Sequence, residues 1–240
     1  MQFRLECHEV LESTSSLVKQ RAEDGAAEGL AIQALRQSAG RGRQGRGWES
    51  PAGNLYISVL LRPAVPLRDA PQWSFVAAVA LAETLNGLLP EAAKLSLKWP
   101  NDLLLQGAKA AGILVETGIA PSHALDWICI GIGVNIRSKP NLPDRPTACL
   151  AEYLAAPPTP EALAQSLLVS LAYWHGVRLQ QGFAPIREAW LRHAPAMGAP
   201  ISLKRDGALL EGAFAGLSPE GGLLLAKGRE VQLILAGEII

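Results

Sequence analysis

The chain is poor in the residues that would place it in several common classes. It has three cysteines, aromatic residues are only 5% of its 240 positions, and 22 Lys plus Arg cancel 22 Asp plus Glu. Cys7, Cys129 and Cys149 are odd in number, far apart and without Cys-x-x-Cys or His-rich spacing, which excludes a disulfide framework and a zinc site. A reducing compartment fits. Zero net charge removes the broad basic field with which proteins hold long nucleic acids or anionic membrane surfaces. Any anion must then be met locally. No apolar run approaches the roughly 20 residues of a spanning helix. The opening MQFRLECHEV lacks a basic stretch leading into an apolar segment, so a cytoplasmic location is the expectation.

What is present is core-forming material: 49% of residues are hydrophobic and only 18% charged, which excludes disorder as the main theme. Phe3 and Leu5 alternate with polar neighbours as in a strand, and a helical pattern then begins around Leu17, Val18 and Arg21. Gly25 and Gly29 end that helix and Leu30 to Leu35 reads as a strand. Asn54 to Leu61 is too apolar to have a wet face and is expected at the centre of a sheet. Apolar residues spaced three and four apart predict a core-facing helix from Trp73 to Leu89. Leu95–Trp99, Leu103–Leu105, Ala111–Thr117 and Asp126–Ile136 read as four strands whose tight links require antiparallel pairing. Helices over about Pro160–Gln181 and Pro185–His193 follow. From residue 195 the pattern changes to short strands, Ile201–Leu203, Ala208–Phe214, Gly222–Ala226 and Val231–Leu235, separated by Gly and Pro turns. The expected organisation is a catalytic domain over residues 1–194 and a small β-barrel over 195–240. The barrel is too short for much core and is expected to depend on docking.

The neutral total conceals one concentration of charge. Arg36, Arg41, Arg43 and Arg46 alternate with Gly40, Gly42, Gly45 and Gly47, and no acid occurs until Glu49. Glycines free the backbone while guanidinium forks suit phosphate or carboxylate oxygens, so the stretch is expected to be a mobile loop that an anion orders. A solvated surface loop and an RNA-binding Arg/Gly segment are the alternatives. The second is disfavoured because the stretch is short, unrepeated and set between two strands. Trp48, just after it, is expected to fold back as a lid over a flat ring such as adenine.

Two further segments have complementary chemistry. Ser13, Thr14 and Ser15 offer hydroxyls, either to a ligand or merely as caps of the helix that follows. Lys98-Trp99-Pro100-Asn101-Asp102 leads to Lys109-Ala110-Ala111-Gly112, where a cation stands just before a strand whose small residues let a ligand lie on the backbone. Asn101 and Asp102 are equally the favoured residues of a turn after proline. Asn135 interrupts an apolar strand and is either a strand-end residue near solvent or a buried amide in need of partners.

Read in order, these segments resemble the biotin protein ligases. The matching residues are Ser13-Thr14, Gln37 to Trp48 (QSAGRGRQGRGW), Ser50-Pro51 with Gly53 to Tyr56, Lys98 to Asp102 (KWPND), Lys109 to Glu116 (KAAGILVE) and Gly131 to Asn135 (GIGVN). Gly221 to Leu224 and Gly237-Glu238 are similar to the family's C-terminal cap.

The resemblance implies an α+β, class II aminoacyl-tRNA synthetase-like catalytic domain, with a largely antiparallel or mixed sheet flanked by helices, and an SH3-like barrel after it. It implies that biotin and Mg·ATP give biotinyl-5′-AMP and pyrophosphate, after which a lysine of a biotin carboxyl carrier domain takes the biotin. On this resemblance Ser13, Thr14, Ser15, Gln37, Arg41, Gly42, Arg43, Lys109 and Gly112 contact biotin. Arg41, Arg43, Arg46, Trp48, Asn101 and Asn135 contact ATP or the adenylate, and Lys109 and Arg43 are the catalytic pair. Asp102 is a candidate for Mg2+. Ser15 departs from the Asn found in many members. No DNA or membrane partner is expected, the chain works as a monomer or homodimer, and the catalytic pattern begins too early to leave room for a winged helix. A lipoate or octanoate ligase and a non-catalytic nucleotide sensor are the competing readings.

Overall fold

A computed structural model of the chain describes residues 1–143, 145–205 and 208–239. Seven strands form one sheet: β1 (Arg4–Leu11), β2 (Leu30–Gln37), β3 (Leu55–Leu61), β4 (Leu95–Lys98), β5 (Asp102–Leu105), β6 (Ala108–Ile119) and β7 (Leu125–Val134). Their order is β1-β2-β3-β7-β6-β5-β4. β1 and β2 run parallel, which requires a crossover, and α1 (Thr14–Glu23) supplies it. Strands β4 to β7 follow one another with short links and pair antiparallel, as such links demand.

β3 lies between β2 and β7 with all seven residues buried, because both of its faces are covered. On one face Leu55, Ile57, Val59 and Leu61 join the main core with α2 (Gln72–Asn86), α3 (Pro160–Gln181) and α4 (Ala184–Leu191). On the other, Leu60 meets Val18 and Ala22 of α1, Ile32 of β2 and Cys129 of β7 in a smaller core. α2 is buried on nearly every side, so its sequence is apolar around the whole circumference rather than along one stripe. α3 starts where Thr159 Oγ1 accepts from the Ala162 amide at 3.2 Å and Pro160 takes the first helical position.

The remaining strands form a second, antiparallel sheet: β8 (Pro200–Arg205), β9 (Ala208–Leu217), β10 (Leu223–Lys227), β11 (Glu230–Ile234) and β12 (Glu238–Ile239), ordered β11-β10-β9-β8-β12. β12 lies outside the four short strands that residue pattern alone predicts. This sheet has no core of its own: Leu203, Phe214, Leu217, Leu223 and Leu225 belong to the same cluster as Phe75, Phe183 and Trp190. Polar contacts add to the apolar seam. Trp99 Nε1 donates to Gly221 O at 3.1 Å, and Arg187 donates from Nε and Nη2 to Leu217 O at 2.8 and 2.5 Å.

Three local expectations are corrected. α1 begins at Thr14, and although Ser13 occupies its N-cap position with extended backbone, no side chain caps the helix. The hydroxyls of that turn are therefore free for other work. Lys109 stands inside β6 rather than before it, because Lys109 N donates to Pro146 O and Ala148 N to Lys109 O, extending the ladder. Asp102 opens β5 instead of closing a turn. Among the described residues no helix is long and apolar enough to cross a membrane.

Arg187→Ala leaves the Leu217 carbonyl without its charged donor. It is expected to cost about 2 kcal/mol, read as a lower urea midpoint for unfolding.

Candidate active site

Strand register opens a cleft on the face that carries α1. β7 pairs Gly133 with Tyr56 of β3 and with Gly112 of β6, and one step along it pairs Gly131 with Ser58 and Leu114. Side chains alternate, so this face of three neighbouring strands carries glycine at three adjoining points while the opposite face keeps Ile113, Ile130 and Ile132 in the core. The result is a cleft of about 350 Å³ with a floor of bare backbone. The half-buried Trp48 indole lies on that floor. A Cβ at Gly133 would stand 2.6 Å from its ring and one at Gly112 2.9 Å, so both positions admit only glycine with the ring in place.

One wall is a hydrogen-bonded chain with a fixed direction. The Thr14 amide donates to Gln37 Oε1 at 2.8 Å, which fixes the orientation of the Gln37 side-chain amide. Thr14 Oγ1 then donates to the same oxygen at 3.2 Å and accepts from Ser58 Oγ at 2.7 Å. Gln37 Nε2 donates to Ser50 Oγ at 2.9 Å, and Ser50 Oγ donates to Trp48 O. Ser58 has spent its proton and offers lone pairs, while the Ser13 and Ser15 hydroxyls, 3.0 Å apart, bond to each other through one of their two hydrogens and leave the second as a donor. This wall suits a neutral polar head with both donors and acceptors.

The Arg/Gly segment is folded as a hairpin with backbone hydrogen bonds of its own. Gly42 N donates to Arg46 O at 2.7 Å, Trp48 N to Gly40 O at 2.9 Å, and Arg41 bridges Gly47. Gln44 and Gly45 turn it with left-handed φ of 56° and 73°. Three side chains tie it down. Arg41 Nη2 reaches Glu116 at 3.4 Å, Arg43 Nη1 donates to Asn101 Oδ1 at 3.1 Å, and Arg46 grips Glu238 of β12 with both terminal nitrogens at 3.1 and 2.8 Å. Arg145 Nη1 donates to the same Glu238 at 2.6 Å. Burial alone would raise the Glu238 carboxyl, but the two guanidiniums outweigh it and hold it down to about 2.

Asp102, 4% exposed, collects the lysines: Lys109 Nζ lies 2.6 Å from Oδ1 as a close ion pair and Lys98 Nζ 3.8 Å from Oδ2. Burial pushes the Lys98 ammonium down, and Asp102 opposes that shift. Lys109 Nζ is also 5.5 Å from the centre of the Trp48 ring. Five cations and three carboxylates line the cleft, an excess of positive charge suited to an anionic tail.

The residues given a ligand or metal role from the sequence all line this one cleft: Ser13, Thr14, Ser15, Gln37, Arg41, Gly42, Arg43, Arg46, Trp48, Asn101, Asp102, Lys109, Gly112 and Asn135; Arg36, the first arginine of the Arg/Gly stretch, does not. Asn135 is not near solvent. It is 2% exposed, with its Nδ2 donating to Ala148 O at 3.0 Å and its own backbone amide to Ala110 O. Asp102 faces two lysines rather than an open cation position. Among the described residues there is no group of three or more His, Cys, Asp or Glu that could hold a metal. Sequence reasoning gave no role to Tyr56, Ser58, Arg145 or Glu238. Ser58 could have been found as the hydroxyl interrupting an apolar strand, and Glu238 as the acid beside a glycine in a region already matched. Arg145 carries no such signal.

Residues 7–135 match the model of the biotin/lipoate A/B protein ligase family, over half of the chain. The chain belongs to this family. This ligase-family chain is 39% identical over 220 residues to the biotin–[acetyl-CoA-carboxylase] ligase of Paracoccus denitrificans, covering 87% of itself and 88% of that protein. It is 33% identical to the bifunctional ligase/repressor BirA of Bacillus subtilis, covering 97% of itself and 72% of BirA. The biotin protein ligase of Aquifex aeolicus, solved in complex with biotin and ATP, superposes with a TM-score of 0.81 at 27% identity, covering 99% of this chain and 97% of that one.

Two outcomes follow from the geometry. Gly133→Ala forces the Trp48 ring off the floor, so acrylamide quenching of the Trp48 contribution, taken as the difference from a Trp48→Phe partner, rises. The Glu238 carboxyl is held below its ordinary 4.5, so its contribution to stability is present above that value and lost as pH falls toward about 2. The stability difference between wild type and Glu238→Gln therefore narrows on acidification through that window, read as melting temperature at each pH.

Proposed function

We propose that the chain activates biotin with ATP and transfers it to a lysine of a biotin carboxyl carrier domain. The observation that carries this reading is the layout of the cleft: a directional hydroxyl and amide wall at one end, a bare glycine floor, and Lys109 with the arginine hairpin at the other. Biotin has that order of chemistry, a ureido ring with two N–H donors and a carbonyl acceptor, an apolar middle of thioether ring and alkyl chain, and a carboxylate tail.

Ser58 lone pairs and the Ser13–Ser15 hydroxyls meet the ureido group, with Thr14 and Gln37 holding them in place. Once the Trp48 ring lifts from the floor, Gly112 lets the middle of the molecule lie on the strand, and Arg41 and Gly42 close the near side. Lys109 faces the carboxylate. In the first step a carboxylate oxygen bonds to the α-phosphorus of ATP as its bond to the bridging oxygen breaks, and pyrophosphate leaves. Lys109 and Arg43 stabilise the charge gathering on the α-phosphate, and Arg46 and Arg145, now sharing Glu238, turn to the polyphosphate. Asn101 positions Arg43, Asn135 flanks the nucleotide, and Trp48 separates the adenine from the acyl chain. In the second step a carrier lysine amine attacks the acyl carbon, an amide forms, the amine gives up a proton, and AMP leaves.

Mg2+ enters as the counter-ion of ATP. Of the three cleft carboxylates, Asp102 is paired with lysines and Glu238 with arginines, and Glu49 alone makes no protein cage for it. The second sheet is read as a small SH3-like cap on residues 195–240, after a class II synthetase-like catalytic domain on 1–194. A neutral surface with a small charged cleft supports a cytoplasmic enzyme that acts on a protein lysine rather than on nucleic acid.

Incubation with biotin, ATP, Mg2+ and a biotin carrier domain is expected to release pyrophosphate and add one biotin mass to a single carrier lysine. Excess lipoate should not compete, and preferred transfer of lipoate would replace this reading with its sibling in the family. Lys109→Ala is expected to cut pyrophosphate release by about a hundredfold or more at temperatures below its melting midpoint, which falls because Asp102 loses its close partner. Pyrophosphate release at the wild-type rate would remove Lys109 from the chemistry.

A further inference from the structure

Beyond the residues that meet the ligands, the structure assigns Glu116 as a positioning residue that holds the biotin end of the cleft in register by gripping Arg41; this rests on the ligase reading above. Glu116 lies on β6 on the same face as Gly112 and Leu114, two residues beyond Leu114, in a cross-strand row with Cys129 and Leu60 that closes the end of the glycine floor. Its side chain is 20% exposed, and two cations from two different elements converge on one oxygen. Lys19 Nζ of α1 is 2.8 Å from Oε1 and Arg41 Nη2 of the hairpin 3.4 Å. The second oxygen, Oε2, is buried with no hydrogen-bond partner among the described residues. A freely solvated surface pair would turn both oxygens to water and contribute little. Here the carboxylate is fixed by the strand and the cations come to it.

The connections explain what this arrangement does. Lys19 is on the helix whose first turn carries Thr14 and Ser15, so its ion pair ties the hydroxyl wall to the strand that supplies Lys109 and Gly112. Arg41 is in the limb of the hairpin that leads from Gln37 and Gly40 over the cleft, and Gly40 is packed against Trp48 O and Ser50 Oγ with no room for a side chain. One carboxylate on β6 thus sets both the helix and the near limb of the hairpin relative to the floor. The far limb has different anchors, Asn101 for Arg43 and Glu238 for Arg46. Loss of the Glu116 charge therefore acts on the biotin half of the site and spares the phosphate half.

The test is steady-state pyrophosphate release and calorimetric biotin binding for wild type, Glu116→Gln, Arg41→Met and the double variant, all below their melting midpoints. Glu116→Gln is expected to raise KM and Kd for biotin about tenfold, with KM for ATP and kcat within about twofold. Because Glu116 acts through Arg41, the double variant should be no worse than the weaker-binding single variant. An unchanged biotin Kd in Glu116→Gln, losses that multiply in the double variant, or an equal rise in KM for ATP would each overturn the proposal. If wild type itself neither binds biotin nor releases pyrophosphate, it is the ligase reading that fails. Lys19→Met serves as a second probe. It frees the helix but leaves Arg41 on Oε1, and is expected to weaken biotin binding less than Glu116→Gln does; the reverse ranking would overturn the role of Arg41.

Discussion

The site depends on the register of β7 between β3 and β6. Backbone hydrogen bonds alone would allow the strand to slide, but a slip of one residue would send Ile130 and Ile132 into the cleft and Gly131 and Gly133 into the core. Burying those isoleucines in the main core under α2 is worth about 1.5 to 3 kcal/mol each. The apolar face of the sheet thereby fixes the polar one. The flat floor, the placement of Lys109 beside it and the direction of the Thr14–Ser58 contact all follow from a pairing that the core enforces from behind.

Charge is organised around that floor in three separate pairings. Asp102 gathers lysines, Glu116 gathers Lys19 and Arg41, and Glu238 gathers Arg46 and Arg145. Each carboxylate comes from a strand; Asp102 draws its two lysines from the neighbouring strands β4 and β6, whereas Glu116 and Glu238 draw in cations from a helix, the hairpin and a loop. A net charge of zero over the whole chain is compatible with this, because the cations that would repel one another are kept close by acids that a polyanionic ligand can replace. β12 contributes Glu238 from the second sheet, which is why the two sheets share a site as well as a core.

Much of this was legible in the sequence. The apolar run in β3 marked a central strand, the short links between β4 and β7 required antiparallel pairing, and the Arg/Gly stretch stood out because guanidiniums and glycines have distinct chemistry. The hairpin was not legible. Glycine signals freedom, and the partners of the hairpin's arginines, Glu116, Asn101 and Glu238, are distant in sequence. Lys109 was placed before its strand because periodicity carries no information on the Pro146–Ala148 segment that extends the ladder. Likewise Asp102 resembled a turn residue, since nothing near it in sequence reveals that Lys109 will return to within 2.6 Å. Arg145 gave no sign at all, being distant in sequence from every segment it joins.

The floor of bare backbone also limits how the site can change. A pocket lined by side chains can be reshaped by exchanging one for another, and each exchange gives a slightly different cavity. A surface made by leaving side chains out has no such gradation: any substitution at Gly112 or Gly133 adds atoms where the Trp48 ring already rests. New ligand preferences can then arise only in the walls, in the buried hydroxyls at the start of α1 and the residues of the hairpin. The departure at Ser15 lies in that wall, where variation leaves the floor intact.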